Sequence, residues 1–211
     1  MLDAEGQLAL PVLDYEFTGP DEMAREYDAA RPEFAESFTP RLPMGLNLGA
    51  QLFWQARRFP EAFAATRAIV PVDVNGRGAD YRRLEPFCRR HDLVLVCDAA
   101  EALGSAFVGR PLGSFGDAAC FSFSPNKTVT TGQGGMVVTN DAAVYQRLLE
   151  LKDQGRPQRG SGGDDLHPTM GFNFKFTDLQ AAVGLAQLDA LEERRAQAAR
   201  RDAWYRAGLD G

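Results

Sequence analysis

Lys127 stands among an uncommon density of hydroxyls and glycines. The stretch from Cys120 to Thr139 carries Ser122, Ser124, Thr128, Thr130, Thr131 and the glycines Gly132, Gly134 and Gly135 around that one amine. Two short apolar runs, Ala118 to Phe123 and Gly135 to Thr139, bracket it and read as buried strands. Glycines let backbone amides approach an anion closely and hydroxyls add donors, so the loop could hold a phosphate beside an amine. An amine screened from water and near other cations gives up its proton more readily and can attack a carbonyl to form a Schiff base. The ordinary reading of such a loop is a turn with a solvated lysine. It is neither a P-loop, because no Gly-Lys-Ser/Thr follows the glycines, nor a dinucleotide fingerprint, because a strand rather than a helix comes next.

A second group sits upstream. Leu93 to Cys97 is an apolar run without alternation, the pattern of a strand covered on both faces, and it leads straight into Asp98. In open α/β sheets ligands gather at the carboxyl ends of the strands. A carboxylate there can pair with a cationic ring nitrogen of a cofactor; it can equally cap the turn that follows. Together, a strand-end Asp98, a strand carrying Ser122, and Lys127 before a Gly/Thr loop supply the parts of a pyridoxal phosphate site. Lys127 would hold the aldehyde, Asp98 would face the pyridinium nitrogen and Ser122 would donate to the phosphate.

These residues need a scaffold. Ala68 to Val74 is a β-branched run closed by Asn75-Gly76, a strand and a turn. Asp80 is placed to cap a helix through His91, with Tyr81, Leu84, Phe87 and Cys88 at spacings of three and four. Strand, helix and strand at this spacing make a βαβ unit, hence an α/β fold with a mainly parallel sheet and flanking helices. Asp141 is placed to cap a helix to about Lys152, and Gly155 to Met170 is a long polar loop. Thr177 opens one long helix to about Tyr205. Upstream, Pro20 to Ala30 and Gly45 to Phe59 have helical texture, with prolines at 32, 40 and 43 breaking any long periodicity.

Composition narrows the function classes. The chain has 211 residues, 45% apolar and 25% charged, with a net charge of −6. That charge argues against nucleic acid or a membrane surface as partner. No run is long enough to span a membrane, and the acidic start is unlike a signal peptide, so a reducing cytoplasmic setting is expected. Cys88, Cys97 and Cys120 are too few for a disulfide framework. His91 and His167 are the only histidines, which leaves a metal site or a Ser-His-Asp triad poorly supplied.

Four segments in order, AIVPVDVNG (68–76), VLVCDAAEALGS (94–105), GSFGDAACFSFSPNKTVTTGQGGMVVTND (113–141) and GFNFKFTDLQAAVGLAQL (171–188), resemble the DegT/DnrJ/EryC1/StrS sugar aminotransferases. The resemblance covers about residues 67 to 205. It implies the large domain of a fold-type I pyridoxal-phosphate transferase, with Lys127 as the Schiff-base lysine, Asp98 on the ring nitrogen and Ser122 on the phosphate. It places Glu101 beside the cofactor ring, where many members have Gln or His, and Gln133 where Glu is commoner. Asn173 falls on the asparagine that reaches the neighbouring subunit's cofactor, which implies a homodimer with shared active sites. The implied reaction moves an amino group, from glutamate as donor, to a keto group of a nucleotide-linked sugar in cell-surface polysaccharide or natural-product synthesis. On this pattern residues 1–66 are a divergent segment, 67–190 the cofactor-binding core and 191–211 the end of a long helix leading to a small carboxyl-terminal domain expected to be missing. The family's phosphate-gripping Gly-Ser/Thr helix start has no good counterpart in 1–66, Gly45 to Gln51 being a poor candidate. The alternative is a truncated or inactive remnant that binds cofactor or a partner without turnover.

Overall fold

A computed structural model describes residues 3–5, 7–10, 19–30, 48–157 and 166–209. The prolines at 32, 40 and 43 lie outside the described residues, as does the start of the Gly45 to Phe59 segment. The fold is α/β, a mixed and mainly parallel sheet with flanking helices, and the chain divides into two units. One comprises residues 3–71 and 80–95 as described, the other 72–79 and 96–209.

In the first unit, helix α1 (Asp21–Ala30) meets α2 (Leu48–Arg58). Tyr27 and Phe53 bring their ring centroids to 5.7 Å, and the Arg57 guanidinium lies 3.6 Å over the Phe53 ring while pairing with Glu26 at 3.3 Å. A short helix, α3 (Pro60–Ala64), opens on proline, whose missing N–H costs nothing in a first turn. Strand β1 (Ala68–Ile69), helix α4 (Tyr81–Arg90) and the start of strand β2 (Val94–Asp98) then form the expected right-order βαβ element, with Ala68 opposite Val94 and Ile69 opposite Leu95 in parallel register. Ile69 and Leu95 are nearly fully buried, each contributing roughly 1.5–3 kcal/mol of hydrophobic stabilisation. Tyr81 and Cys88 form the buried stripe of α4. Asp80 occupies the N-cap position of α4 but makes no side-chain cap; its carboxylate pairs with Arg82 Nε at 3.1 Å instead.

The strand expected over 68–74 is shorter than its composition suggests. Pro71 has no N–H to give a ladder, so regular pairing stops at Ile69.

In the second unit, Val72 and Asp98 form an isolated parallel bridge, and Asp73 N–H donates to the Asp98 carbonyl at 2.9 Å. The rest of β2 pairs in parallel with β5 (Ala118–Ser122), which pairs antiparallel with β6 (Gly135–Thr139). A two-residue hairpin joins β3 (Ala106–Phe107) to β4 (Arg110–Pro111); Val108 and Gly109 both have positive φ, 50° and 76°, the combination that matches strand twist. Cys97, Ala99, Ala102, Leu112, Phe115, Ala119, Phe123 and Val129 make its core. Helix α5 (Ala142–Lys152) starts where expected, with Asp141 accepting from the Ala143 and Val144 N–H groups at 2.8 and 2.9 Å.

Thr177 likewise caps, in a full capping box with Gln180. The single long helix read from the sequence is two: α6 (Asp178–Asp189) and α7 (Leu191–Leu209), broken at Ala190. Among the described residues no helix is long and apolar enough to cross a membrane.

Candidate active site

All five residues singled out from the sequence lie in the second unit. Asp98 is the last residue of β2 and is half-buried. Its Oδ1 accepts the Ala100 N–H at 3.0 Å, so the turn-capping role is real, and it occupies one carboxylate oxygen only. The parallel register sets Asp98 opposite Cys120. Because side chains alternate along a strand, Asp98, Cys120 and Ser122 share one face of the sheet. Burial and the Asp98 charge both push the Cys120 thiol above its ordinary value, burial more strongly.

Ser122 closes β5 and donates its hydroxyl to Ser124 Oγ at 3.1 Å. The chain then makes a closed loop from Phe123 to Gly134. The Phe123 carbonyl accepts from Thr131 N–H at 3.0 Å and from Thr130 Oγ1 at 3.2 Å, and Phe123 N–H donates to the Gly134 carbonyl at 2.9 Å. Val129, 1% exposed, anchors the loop from inside. Lys127 sits on this loop, its N–H donating to the Ser124 carbonyl at 3.1 Å. At Gly134, φ is +147° and a Cβ would lie 2.6 Å from the Phe176 ring, which explains a glycine there.

Lys127 does not point away into bulk water. Its side chain is 18% exposed, and Nζ lies 3.5 Å from Glu101 Oε1. The other Glu101 oxygen accepts the Asn75 N–H at 2.9 Å. That backbone bond first, and the Lys127 charge second, hold the Glu101 carboxyl below the usual carboxylate range. Asn75 has φ +53° inside a short 3-10 turn, Val74–Gly76, a left-handed conformation that asparagine tolerates.

The structure thus joins Glu101 to Lys127 by contact and Asp98 to Ser122 by register. Asn173 is exposed and belongs to a different cluster. It bridges Asp153 in antiparallel pairing, flanked by bonds from Phe172 N–H to the Leu151 carbonyl and Phe174 N–H to the Lys152 carbonyl. The Phe172 and Phe174 rings stack at 4.9 Å on the exposed side. Asp153 also takes Lys175 Nζ at 2.6 Å, which with Arg156 holds its carboxyl low, the Lys175 hydrogen bond leading.

Asn75 was legible only as half of an Asn-Gly turn; nothing in its type announces a backbone donor to Glu101. Gln180, whose Nε2 donates to the Gln133 carbonyl at 3.0 Å, carries no sequence signal for that contact.

Residues 63–211 match the model of the DegT/DnrJ/EryC1/StrS aminotransferase family. The chain belongs to that family. Among proteins similar to this family member is the GDP-perosamine synthase of Caulobacter vibrioides, 42% identical over 145 residues, which are 68% of this chain and 38% of that protein. The GDP-perosamine synthase of Vibrio cholerae is 40% identical over 61% of this chain and 34% of its own length. Among solved structures, S. venezuelae DesV superposes with a TM-score of 0.63 at 36% identity, over 70% of this chain and 38% of that one. The matches therefore span little more than a third of these relatives.

Proposed function

We propose that this chain is the cofactor-holding core of a pyridoxal-phosphate-dependent aminotransferase that moves an amino group, with glutamate as donor, to a keto group of a nucleotide-linked sugar. Similarity to the two GDP-perosamine synthases supports the substrate class and a place in cell-surface polysaccharide or natural-product sugar synthesis. Residues 67–190 are proposed as the cofactor-binding portion. The proposed setting is a reducing, cytoplasmic one, in keeping with three cysteines too few for a disulfide framework.

The donor set fits the cofactor. A half-buried carboxylate ends β2, the Ser122 hydroxyl ends β5 and bonds to that of Ser124 just beyond it, and a screened amine stands against Glu101. Bound pyridoxal phosphate supplies an electron sink for negative charge on a neighbouring carbon. Asp98, with only Oδ1 engaged by the Ala100 N–H, would face the cofactor's ring nitrogen and favour its protonated form. Ser122 and Ser124 hydroxyls bind phosphate oxygens. Lys127 Nζ would be the amine that holds the cofactor through its aldehyde and, when free, the base that would move a proton at the donor's α-carbon. Glu101 holds that amine in place by charge and distance. Asn173, beside the exposed stacked Phe172 and Phe174, is proposed to reach a second copy's site in a homodimer; exposed apolar area of this kind suits a partner surface.

What carries the proposal is the 3.5 Å approach of Lys127 Nζ to the carboxylate three residues beyond the strand-end acid. Its test is reduction with borohydride after incubation with pyridoxal phosphate, followed by peptide mass spectrometry. Label on Lys127, absent from Lys127→Ala protein, is the expected result; equal labelling of both proteins would sink the assignment. One other reading is a domain that binds cofactor without turnover. Loss of the yellow absorbance on adding glutamate supports the transaminase, and a label that glutamate never bleaches supports the binding domain.

A further inference from the structure

The lysine loop closes on itself, yet its outer side is held by the two carboxyl-terminal helices at three points. Gln180 of α6 donates to the Gln133 carbonyl at 3.0 Å. Gly184 of α6 packs so closely that a Cβ there would stand 3.0 Å from Thr131 Cγ2. Arg194, in the first turn of α7, donates from Nη1 to the Thr128 carbonyl at 2.8 Å, across 66 residues of chain. The same guanidinium nitrogen also donates to Gln187 Oε1 on α6, so the arginine is fixed from its own side as well. Its neighbour Arg195 lays its stem against Gly104, the Cδ atom 3.2 Å from where a Cβ would be, and is tied to Glu192 by bonds of 2.9 and 3.0 Å.

We infer that Arg194 is a positioning residue for Lys127, fixing the Thr128 peptide so that the amine stays against Glu101. The lysine backbone is pinned on its amino side by the bond from its own N–H to the Ser124 carbonyl. On its carboxyl side, one peptide beyond Lys127's own carbonyl, Arg194 holds the Thr128 carbonyl and so restrains the residue that shares a peptide bond with Lys127. A charge-assisted donor makes that hold about twice as strong as a neutral one. A side chain of four rotatable bonds inherits any tilt of its peptide, so a loosened Thr128 carries Nζ away from Glu101. Thr130, Thr131 and Val129 secure the far half of the loop but do not reach residues 127 and 128, which leaves that step to α7.

The inference draws its catalytic meaning from the Lys127 assignment above, but its test needs no cofactor. The chain has three lysines, Lys127, Lys152 and Lys175, which makes competitive acetylation by limiting acetic anhydride easy to read by peptide mass spectrometry. Arg194→Ala, Arg194→Gln and Arg194→Lys proteins are compared with the parent by this labelling and by amide hydrogen exchange. In Arg194→Ala, exchange over residues 127–131 is expected to quicken about tenfold, the cost of losing one charge-assisted bond, and acetylation of Lys127 to quicken severalfold. Exchange in α5 and labelling of Lys152 and Lys175 should stay within about twofold of the parent, since they lie outside the loop. Arg194→Lys, which keeps a cationic donor, should return most of the protection. If Arg194→Ala does not fold, Arg194→Gln carries the same comparison with a neutral donor. Unchanged Lys127 labelling, a lysine variant no better than alanine, or loosening spread equally through α5 would each overturn the inference. Failure of the borohydride test in the parent would instead count against the cofactor assignment, leaving this result standing.

Discussion

Glu101 Oε2 accepts the Asn75 N–H at 2.9 Å while its other oxygen faces Lys127 Nζ, so one carboxylate ties a left-handed turn to the active loop. Both partners favour the ionised form and hold the Glu101 carboxyl low. The sign follows directly: a depressed folded value means stabilisation that is present above the ordinary carboxylate range and lost as pH falls through the depressed value. Lys127→Met is expected to raise the Glu101 midpoint without restoring it fully, because the larger influence, the Asn75 N–H, remains. Carboxyl carbon NMR titration measures it; a midpoint that does not move would show that the amine is not felt there.

Asp98 and Cys120 face each other across β2 and β5. Asp98→Asn removes a negative charge but can keep the Ala100 bond. The Cys120 thiol should then ionise at lower pH than in the parent, though still above a free thiol because burial is the stronger cause. The pH dependence of iodoacetamide alkylation at Cys120 reports this shift.

Gly134→Ala should destabilise the protein by roughly 1–3 kcal/mol, from overpacking against Phe176 and a strained backbone. Urea melts give the magnitude. Phe176→Leu in the same chain should recover part of the loss, since the ring is the nearest obstacle.

Thr177→Ala removes one half of the capping box on α6 and should cost about 1 kcal/mol. A second, local effect is expected: modestly faster hydrogen exchange at Gln133 and Gly134, because Gln180 Oε1 loses the Thr177 hydroxyl and keeps only the residue 177 N–H while its Nε2 holds the Gln133 carbonyl.

If Asn173 serves a second copy's site as proposed, Asn173→Ala weakens retention of pyridoxal phosphate about tenfold, the worth of one hydrogen bond, without changing the oligomeric state read by light scattering. A strictly monomeric parent that retains the cofactor fully would remove Asn173 from the site.

How far the sequence could be read depended on whether a residue acts through its side chain or its backbone. Asp141 and Thr177 announced their helices because a cap needs a short oxygen at one position, and both caps are made. The run into Asp98 and the two strands around Lys127 were legible as strands from their apolar runs, but β6 is not the buried strand expected, since Met136 and Val137 are exposed. Asp80 had the right type, but a nearby Arg82 competes for its carboxylate. The strand over 68–74 failed for lack of one N–H at Pro71, an effect composition does not register. The break at Ala190 was hidden because alanine is the best helix former and carries no stop signal. Arg194 was invisible as a partner of Thr128, since it is one arginine among many on a polar helix and its target is a backbone oxygen.

Strand pairing in this molecule doubles as site assembly. Asp98 and Ser122 share a face only because β5 aligns with β2 in one particular way. A one-step slip would keep a hydrogen-bonded sheet while turning the serine hydroxyl to the opposite surface. Such molecules would pass size exclusion and circular dichroism as native yet stay colourless with the vitamin. Preparations of this protein should therefore be sorted by whether they bind pyridoxal phosphate before any two are compared.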